Sequence, residues 1–260
     1  MNTEKHPIIF AGAGPGDPEL MTIKAMKALE NADLIIYAGS LVPEAVLCWK
    51  GAHTQTVSSA GMNLDEMVAQ MKAGYLAGKK VVRLHTGDPA LYGAIFEQIR
   101  ELQQDNIPYA VIPGVTAAFA AAASIGMEYT LPEVTQTLIL TRMAGRTPVP
   151  EAEALEKLAA HGASMAIYLS IGLVTQVQEI LAAHYGNASV CAVAYKVSHP
   201  EENIIYTTVE NLARTCRDNG ITRHALIIVG KAVEASRNSA ELIKSKLYDA
   251  TFSHGYRKGE

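Results

Sequence analysis

Short apolar runs alternate along the chain with longer stretches in which apolar residues recur every three or four positions. Residues 8–11, Leu34–Tyr37, 81–84 and Tyr109–Ile112 read as strands. Between them, Thr22 caps a helix running to about Asn31, with Ile23, Ala25, Met26 and Leu29 on one face. Leu64–Leu76 forms a second helix with Met67, Val68 and Met71 inward, 90–102 a third, and the alanine-rich 116–125 a fourth. This alternation predicts an α/β fold, with a parallel or mixed sheet and helices on its faces. In such sheets ligands bind at the loops that follow the strands.

The period lapses in "MEYTLPEV", residues 127–134, and a second α/β half follows. Its expected strands are 137–141, 165–169, Val190–Tyr195, 204–207 and Ala225–Val229, and its helices 151–160, 172–184 and 208–218. The expected organisation is a domain at 1–125, a linker at 126–135, a domain at 136–232 and a tail at 233–260.

Composition narrows the function. With 49% hydrophobic and 18% charged residues, the 260-residue chain has material for a real core. A net charge of -4 and a single tryptophan, Trp49, favour neither a nucleic-acid field nor a base-stacking platform. Cys48, Cys191 and Cys216 are far apart in sequence, which fits free thiols in a reducing cytoplasm. Pro7 and the early glycines interrupt any signal-peptide pattern. The uncharged run 110–127 contains Pro113-Gly114 and seven alanines, and reads as strand, turn and helix rather than a membrane span. No membrane partner is expected. No metal-spaced His, Cys or carboxylate cluster, GxSxG or P-loop lysine appears.

The chemistry lies in three glycine-bearing loops at strand ends. The first, "GAGPGDPELMTIKA" (12–25), has glycines at Gly12, Gly14 and Gly16. A dinucleotide loop, G-x-G-x-x-G, has its third glycine where Asp17 stands and opens directly into a helix. Pro15 and Pro18 remove two N–H donors, Asp17 would set a carboxylate near two phosphates, and the helix starts late. The loop therefore argues against a nicotinamide-dependent oxidoreductase, and a tight structural turn is the other reading. Asp17 is either a proton acceptor or an Asx residue that shapes the turn. "HTGDP" (85–89) and "PGVTA" (113–117) end two further strands.

Together and in this order, "GAGPGDPELMTIKAMKALENADLIIYAGSL", "VVRLHTGDPALYG" and "VIPGVTAAFAAAASIG" closely resemble the signatures of the tetrapyrrole (corrin and porphyrin) methyltransferases. The resemblance runs from residue 8 to about 230. "YAGSLVPEA", "EYTLPEVTQTLILTRMAGRTPVP", "YKVSHPEENIIYTTVENLA" and "SKLYDATFSHGYRK" are similar to the branch that methylates precorrin-4 or cobalt-precorrin-4 at C-11, although His199 stands where that branch usually has tryptophan. The resemblance implies two α/β domains with S-adenosylmethionine in the cleft between them, unlike a Rossmann methyltransferase. It also implies a homodimer and no metal of its own. It places Pro15, Thr86, Gly87, Asp88, Leu91, Thr116 and Ala117 at the cofactor, with Leu169, Tyr195, Thr207, Ala225 and Leu226 in matching places of the second domain. For Asp88, capping the expected helix at Ala90 is the alternative.

A polycarboxylate substrate would suit arginine forks, and Arg142 and Arg146 at a strand end are the first candidates, with Lys196, Arg83 and Arg223 behind them. His85 and His224 flank strand ends and read as structural histidines, though either can move a proton. The competing functions are a same-fold methylase for another ring carbon or for a protein side chain, an oxidoreductase, and a non-catalytic tetrapyrrole carrier.

Overall fold

The computed structural model describes residues 5–237 and 245–258. The chain divides into two units, one reaching to Ala120 and including Ser198–Pro200, the other holding the remainder. The division falls inside a helix, ahead of the expected linker at 126–135. Residues 238–244 and 259–260 of the expected tail lie outside the described residues.

The first unit is a five-stranded sheet of β1 (Ile8–Gly12), β2 (Leu34–Tyr37), β3 (Gln55–Ser58), β4 (Val81–His85) and β5 (Tyr109–Ile112), in the order β3-β2-β4-β1-β5. Every pairing is parallel. Its helices are α1 (Ile23–Glu30), α2 (Leu64–Leu76), α3 (Ile95–Gln104) and α4 (Ala117–Ile125), the last crossing the division. Both faces of the sheet are covered. Ile8, Phe10, Ile36 and Val81 pack on Val68 and Met71 of α2 and Leu102 of α3. Ala11, Ile35, Val82 and Leu84 pack on Ala25 and Leu29 of α1. Each large aliphatic side chain so buried contributes about 1.5–3 kcal/mol. Burial on both faces is why the three central strands, β1, β2 and β4, are apolar at nearly every position.

Three local expectations change. β3 was not predicted, because Gln55, Thr56 and Ser58 are exposed on a sheet edge and carry no apolar signal. Ile23 of α1 faces solvent at 68% exposure, while Ala25 and Leu29 are buried. α3 starts at Ile95 rather than 90, because Tyr92 and Ala94 take left-handed backbone (φ 56° and 49°) and turn the chain first.

The second unit holds β6 (Leu138–Arg142), β7 (Ser164–Tyr168), β8 (Val190–Tyr195), β9 (Asn203–Thr208) and β10 (Ala225–Val229), in the order β6-β7-β10-β8-β9. Only β6–β7 is parallel, so this sheet is mixed. Its core joins Met165, Ile167, Val193, Ile227 and Val229 to Val177 and Leu181 of α6 (Val174–Tyr185) and Leu212 and Cys216 of α7 (Leu212–Asp218). Three expected helices open as 3-10 turns, at Glu151–Glu153, Ile171–Leu173 and Val209–Asn211. The α-helices that follow them have no side-chain cap at Ala154, Leu173 or Asn211, and tighter turns take up the first N–H groups. Cys191 and Cys216 are buried, Cys48 is exposed, and all three are free.

Candidate functional site

The three loops meet at the C-terminal ends of β1, β4 and β5, and they meet through backbone. The Ala13 N–H donates to the His85 carbonyl (2.7 Å). Gly14 and Gly87 exchange both backbone bonds, at 3.3 and 2.8 Å. A Cβ added to Gly12 would lie 2.5 Å from the Gly87 carbonyl oxygen and 2.6 Å from the Gly114 Cα. Added to Gly114, it would lie 2.1 Å from the same oxygen. Only glycine lets the three chains approach this closely.

Asp88 ties the second loop to the third. Its Oδ1 accepts from the Ala90 N–H (2.7 Å) and its Oδ2 from the Gly114 N–H (2.8 Å). The third loop is held from its other side, where the Thr22 hydroxyl donates to the Pro113 carbonyl (3.3 Å) while also capping α1 at Ala25 N. Asp17 Oδ1 accepts from the Glu19 N–H (2.8 Å) and caps the 3-10 turn Pro18–Leu20, which is the turn-shaping role. Its own N–H donates to Ser198 Oγ (3.0 Å), and the His199 ring lies against Gly16. Thr86, Gly87, Leu91, Thr116 and Ala117 are all partly exposed around this junction, and Pro15 is buried behind it. No lysine or arginine stands in residues 12–23, 85–89 or 113–117. The residues thus fit an adenosyl group carrying a sulfonium, and they do not fit a pyrophosphate.

Arg83 and His85 sit on β4 beneath the loops, both pointing into the α2/α3 side. Arg83 is 5% exposed, and its guanidinium donates to Gln98 Oε1 and the Ile36 carbonyl, both at 3.2 Å. Burial lowers its pKa to about 10. This corrects the expectation that Arg83 meets substrate, since its fork is spent inside the unit. His85 is 3% exposed, stacks on Phe10, and leaves Nε2 without a partner among the described residues. Burial, with the Arg83 charge, pushes its pKa down to about 3. It is a neutral structural histidine.

In the second unit one end of the sheet collects most of the implied residues. Tyr195 pairs with Ala225, Arg142 pairs with Tyr168, and the β7–β10 register carries on to set Leu169 level with Ala225. Leu169, Lys196 and His224, all non-glycine, have left-handed backbone there, at φ 53°, 45° and 55°. Leu169 is also 66% exposed. Such strain concentrates at binding sites. The sequence carried no sign of it, because these residue types rarely adopt that backbone. Leu226 lies one step in from this end and is buried.

Thr207 does not join the group. It pairs with Cys191 at the opposite end of β8, about 13 Å from Tyr195 at ~3.3 Å per residue, and its hydroxyl bonds Thr215 of α7 (2.9 Å). The two arginines also part company. Arg142 folds back on its own loop, donating to the Met143, Thr147 and Pro148 carbonyls (3.4, 3.2 and 2.7 Å). Arg146, at the head of that loop, is exposed and makes no bond among the described residues. Lys196 pairs with Glu201 (2.9 Å). Among the described residues no cluster of His, Cys, Asp and Glu could hold a metal, and no helix is long and apolar enough to cross a membrane.

Comparison with known proteins bears on the family and the fold. The family model of the tetrapyrrole (corrin/porphyrin) methylases matches residues 7–213. A cobalt-precorrin-4 C(11)-methyltransferase of Methanocaldococcus jannaschii is 48% identical over 252 residues, covering 96% of each chain. The solved structure of a cobalamin biosynthetic enzyme, a cobalt precorrin-4 methyltransferase, superposes with a TM-score of 0.85 at 43% identity, covering 87% of this chain and 95% of that one. A uroporphyrin-III C-methyltransferase of Thermus thermophilus, solved with S-adenosyl homocysteine, gives a TM-score of 0.72 at 25% identity over 88% and 94% of the two chains. The chain belongs to the tetrapyrrole (corrin/porphyrin) methylases.

Proposed function

We propose that the chain transfers the methyl group of S-adenosylmethionine to C-11 of precorrin-4, in its cobalt-bearing form, giving cobalt-precorrin-5 in cobalamin biosynthesis. The observation that carries this reading is near-full-length likeness to a cobalt-precorrin-4 C(11)-methyltransferase, joined to a glycine junction suited to the cofactor. The cofactor supplies an electrophilic methyl group on sulfur. Pro15, Thr86, Gly87, Leu91, Thr116 and Ala117 hold it, largely through backbone, and Asp88 and Asp17 shape the loops that do so.

The substrate carbon is itself the nucleophile, so the protein's task is placement. Holding two reactants in line is worth roughly 7–11 kcal/mol of barrier. Loops fixed to one another by backbone bonds are suited to that. Arg146 offers a free fork to a macrocycle carboxylate, and Arg142 holds the loop that presents it. Leu169, Tyr195, Ala225 and Lys196 form the remaining polar and apolar surface at that end of the second sheet. The enzyme works as a cytoplasmic homodimer, in keeping with its family and with three free cysteines.

Calorimetric titration with S-adenosylhomocysteine, and separately with NADPH, tests the class. Micromolar binding of the first and none of the second is expected. Binding of NADPH alone would return the first loop to a dinucleotide role, and binding of neither would favour a carrier.

A further inference from the structure

The geometry points to Asp88 as a positioning residue that acts on the cofactor through backbone, clamping the third loop onto the second, rather than by touching it. This rests on the reading of these loops as the cofactor site. Both carboxylate oxygens are already engaged. Oδ1 takes the Ala90 N–H within its own loop, and Oδ2 reaches across to the Gly114 N–H. An ionised acceptor makes bonds about twice as strong as a neutral one, and a carboxylate offers acceptors only.

The clamp closes a ring. β1's loop is joined to β4's by the paired Gly14 and Gly87 bonds, β4's to β5's by Asp88, and β5's to the start of α1 by Thr22. α1 follows the first loop in sequence, so the circuit returns to its origin. The glycine junction inside has no side chains to fill a gap. At Gly12, Gly87 and Gly114 themselves the loops meet with no side chain between them, so the Asp88 bond is the one side-chain link from the second loop to the Gly114 backbone among the described residues. Thr116 and Ala117 follow two and three residues beyond Gly114, so a shift of the Gly114 backbone is passed on to them.

Asp88→Asn is the informative change. It keeps the shape and one carbonyl oxygen, but its amide must face either the Ala90 N–H or the Gly114 N–H, donor against donor. The first readout is amide hydrogen exchange in the protein without cofactor. Gly114 should exchange at least tenfold faster in Asp88→Asn, while Ile227 in the second sheet keeps its protection and reports an intact fold. The second readout is affinity for S-adenosylhomocysteine, expected to fall about tenfold, or about 1.4 kcal/mol.

Weakened binding with unchanged Gly114 exchange would mean that Asp88 touches the cofactor directly, and would overturn the proposal. Faster Gly114 exchange with unchanged binding would overturn it too. If the parent protein binds no S-adenosylhomocysteine, the functional reading fails, while faster Gly114 exchange would still support the clamp itself. Should Asp88→Asn not fold, Thr22→Val opens the same ring at its other bond, with Thr22→Ser as the variant that restores it. A few-fold loss of affinity in the first, recovered in the second, supports the ring, and equal affinity in both overturns it.

Discussion

Replacing Gly114 with alanine should separate the loops and cripple the enzyme without unfolding it. A Cβ at this position would stand 2.1 Å from the Gly87 carbonyl oxygen and 2.9 Å from the Gly12 Cα, all of it backbone. Ordinary contact begins near 3.5 Å, so the second and third loops must part by about 1.4 Å. No flexible side chain is present to absorb the movement. Overpacking of this kind costs about 1–3 kcal/mol of stability. Its effect on function is larger, because a displacement near 1 Å at reacting groups costs about 100-fold in rate. That corresponds to about 2.7 kcal/mol of transition-state stabilisation. The assay is kcat/KM for methyl transfer, with the melting temperature and S-adenosylhomocysteine affinity measured alongside. Gly61→Ala serves as the control, since a Cβ there meets nothing within 4 Å. Gly114→Ala should lose about two orders of magnitude in kcat/KM and at least tenfold in affinity, and the control should lose neither. A Gly114→Ala protein with unchanged affinity and rate would refute the idea that loop approach sets the site.

Three further outcomes are expected. Arg146→Ala should raise KM for the tetrapyrrole about tenfold or more, roughly the 1.5–3 kcal/mol of a bond between charged groups, with the melting temperature unchanged; Arg142→Ala should lower the melting temperature as well, because its loop loses three carbonyl bonds. His85, with its pKa pushed down to about 3, binds fewer protons folded than unfolded between that value and about 6.5, so stability falls as pH drops through this window, by up to about 1.4 kcal/mol per pH unit. Denaturant midpoints against pH should flatten there in His85→Phe, and a slope as steep as the parent's would place the acid sensitivity elsewhere. Asp17→Asn should keep the turn and the rate, whereas Asp17→Ala should lose about 1 kcal/mol of stability with the lost cap; a large fall in kcat for Asp17→Asn would restore it as a proton acceptor.

How far the sequence reveals the molecule follows from what each feature depends on. Leu34–Tyr37, Val190–Tyr195 and Ala225–Val229 were legible to the residue, because burial on both faces makes such strands apolar throughout, and Tyr109–Ile112 was legible by its apolar run although Ala110 and Val111 are exposed. Thr22 was legible as a cap because its chemistry is local. The glycine loops stood out in the sequence because three of them end apolar strand runs, and in the structure they meet through backbone. Long-range register was not legible. Nothing local says that Thr207 lies at the far end of its strand from Tyr195, or that Asp88 reaches Gly114. The two arginines look alike in "TRMAGRTPVP", yet one is consumed by its own loop and the other is free. Left-handed backbone at Tyr92, Ala94 and Leu169 is imposed by surroundings, against residue preference, so the sequence points away from it.

The most direct test of the central claim is where the methyl group goes. The purified protein is incubated with cobalt-precorrin-4 and S-adenosylmethionine carrying a carbon-13 methyl, and the product is read by NMR. A single enriched methyl on C-11 is the predicted result. Enrichment at another ring carbon, or turnover only with the cobalt-free substrate, would contradict it.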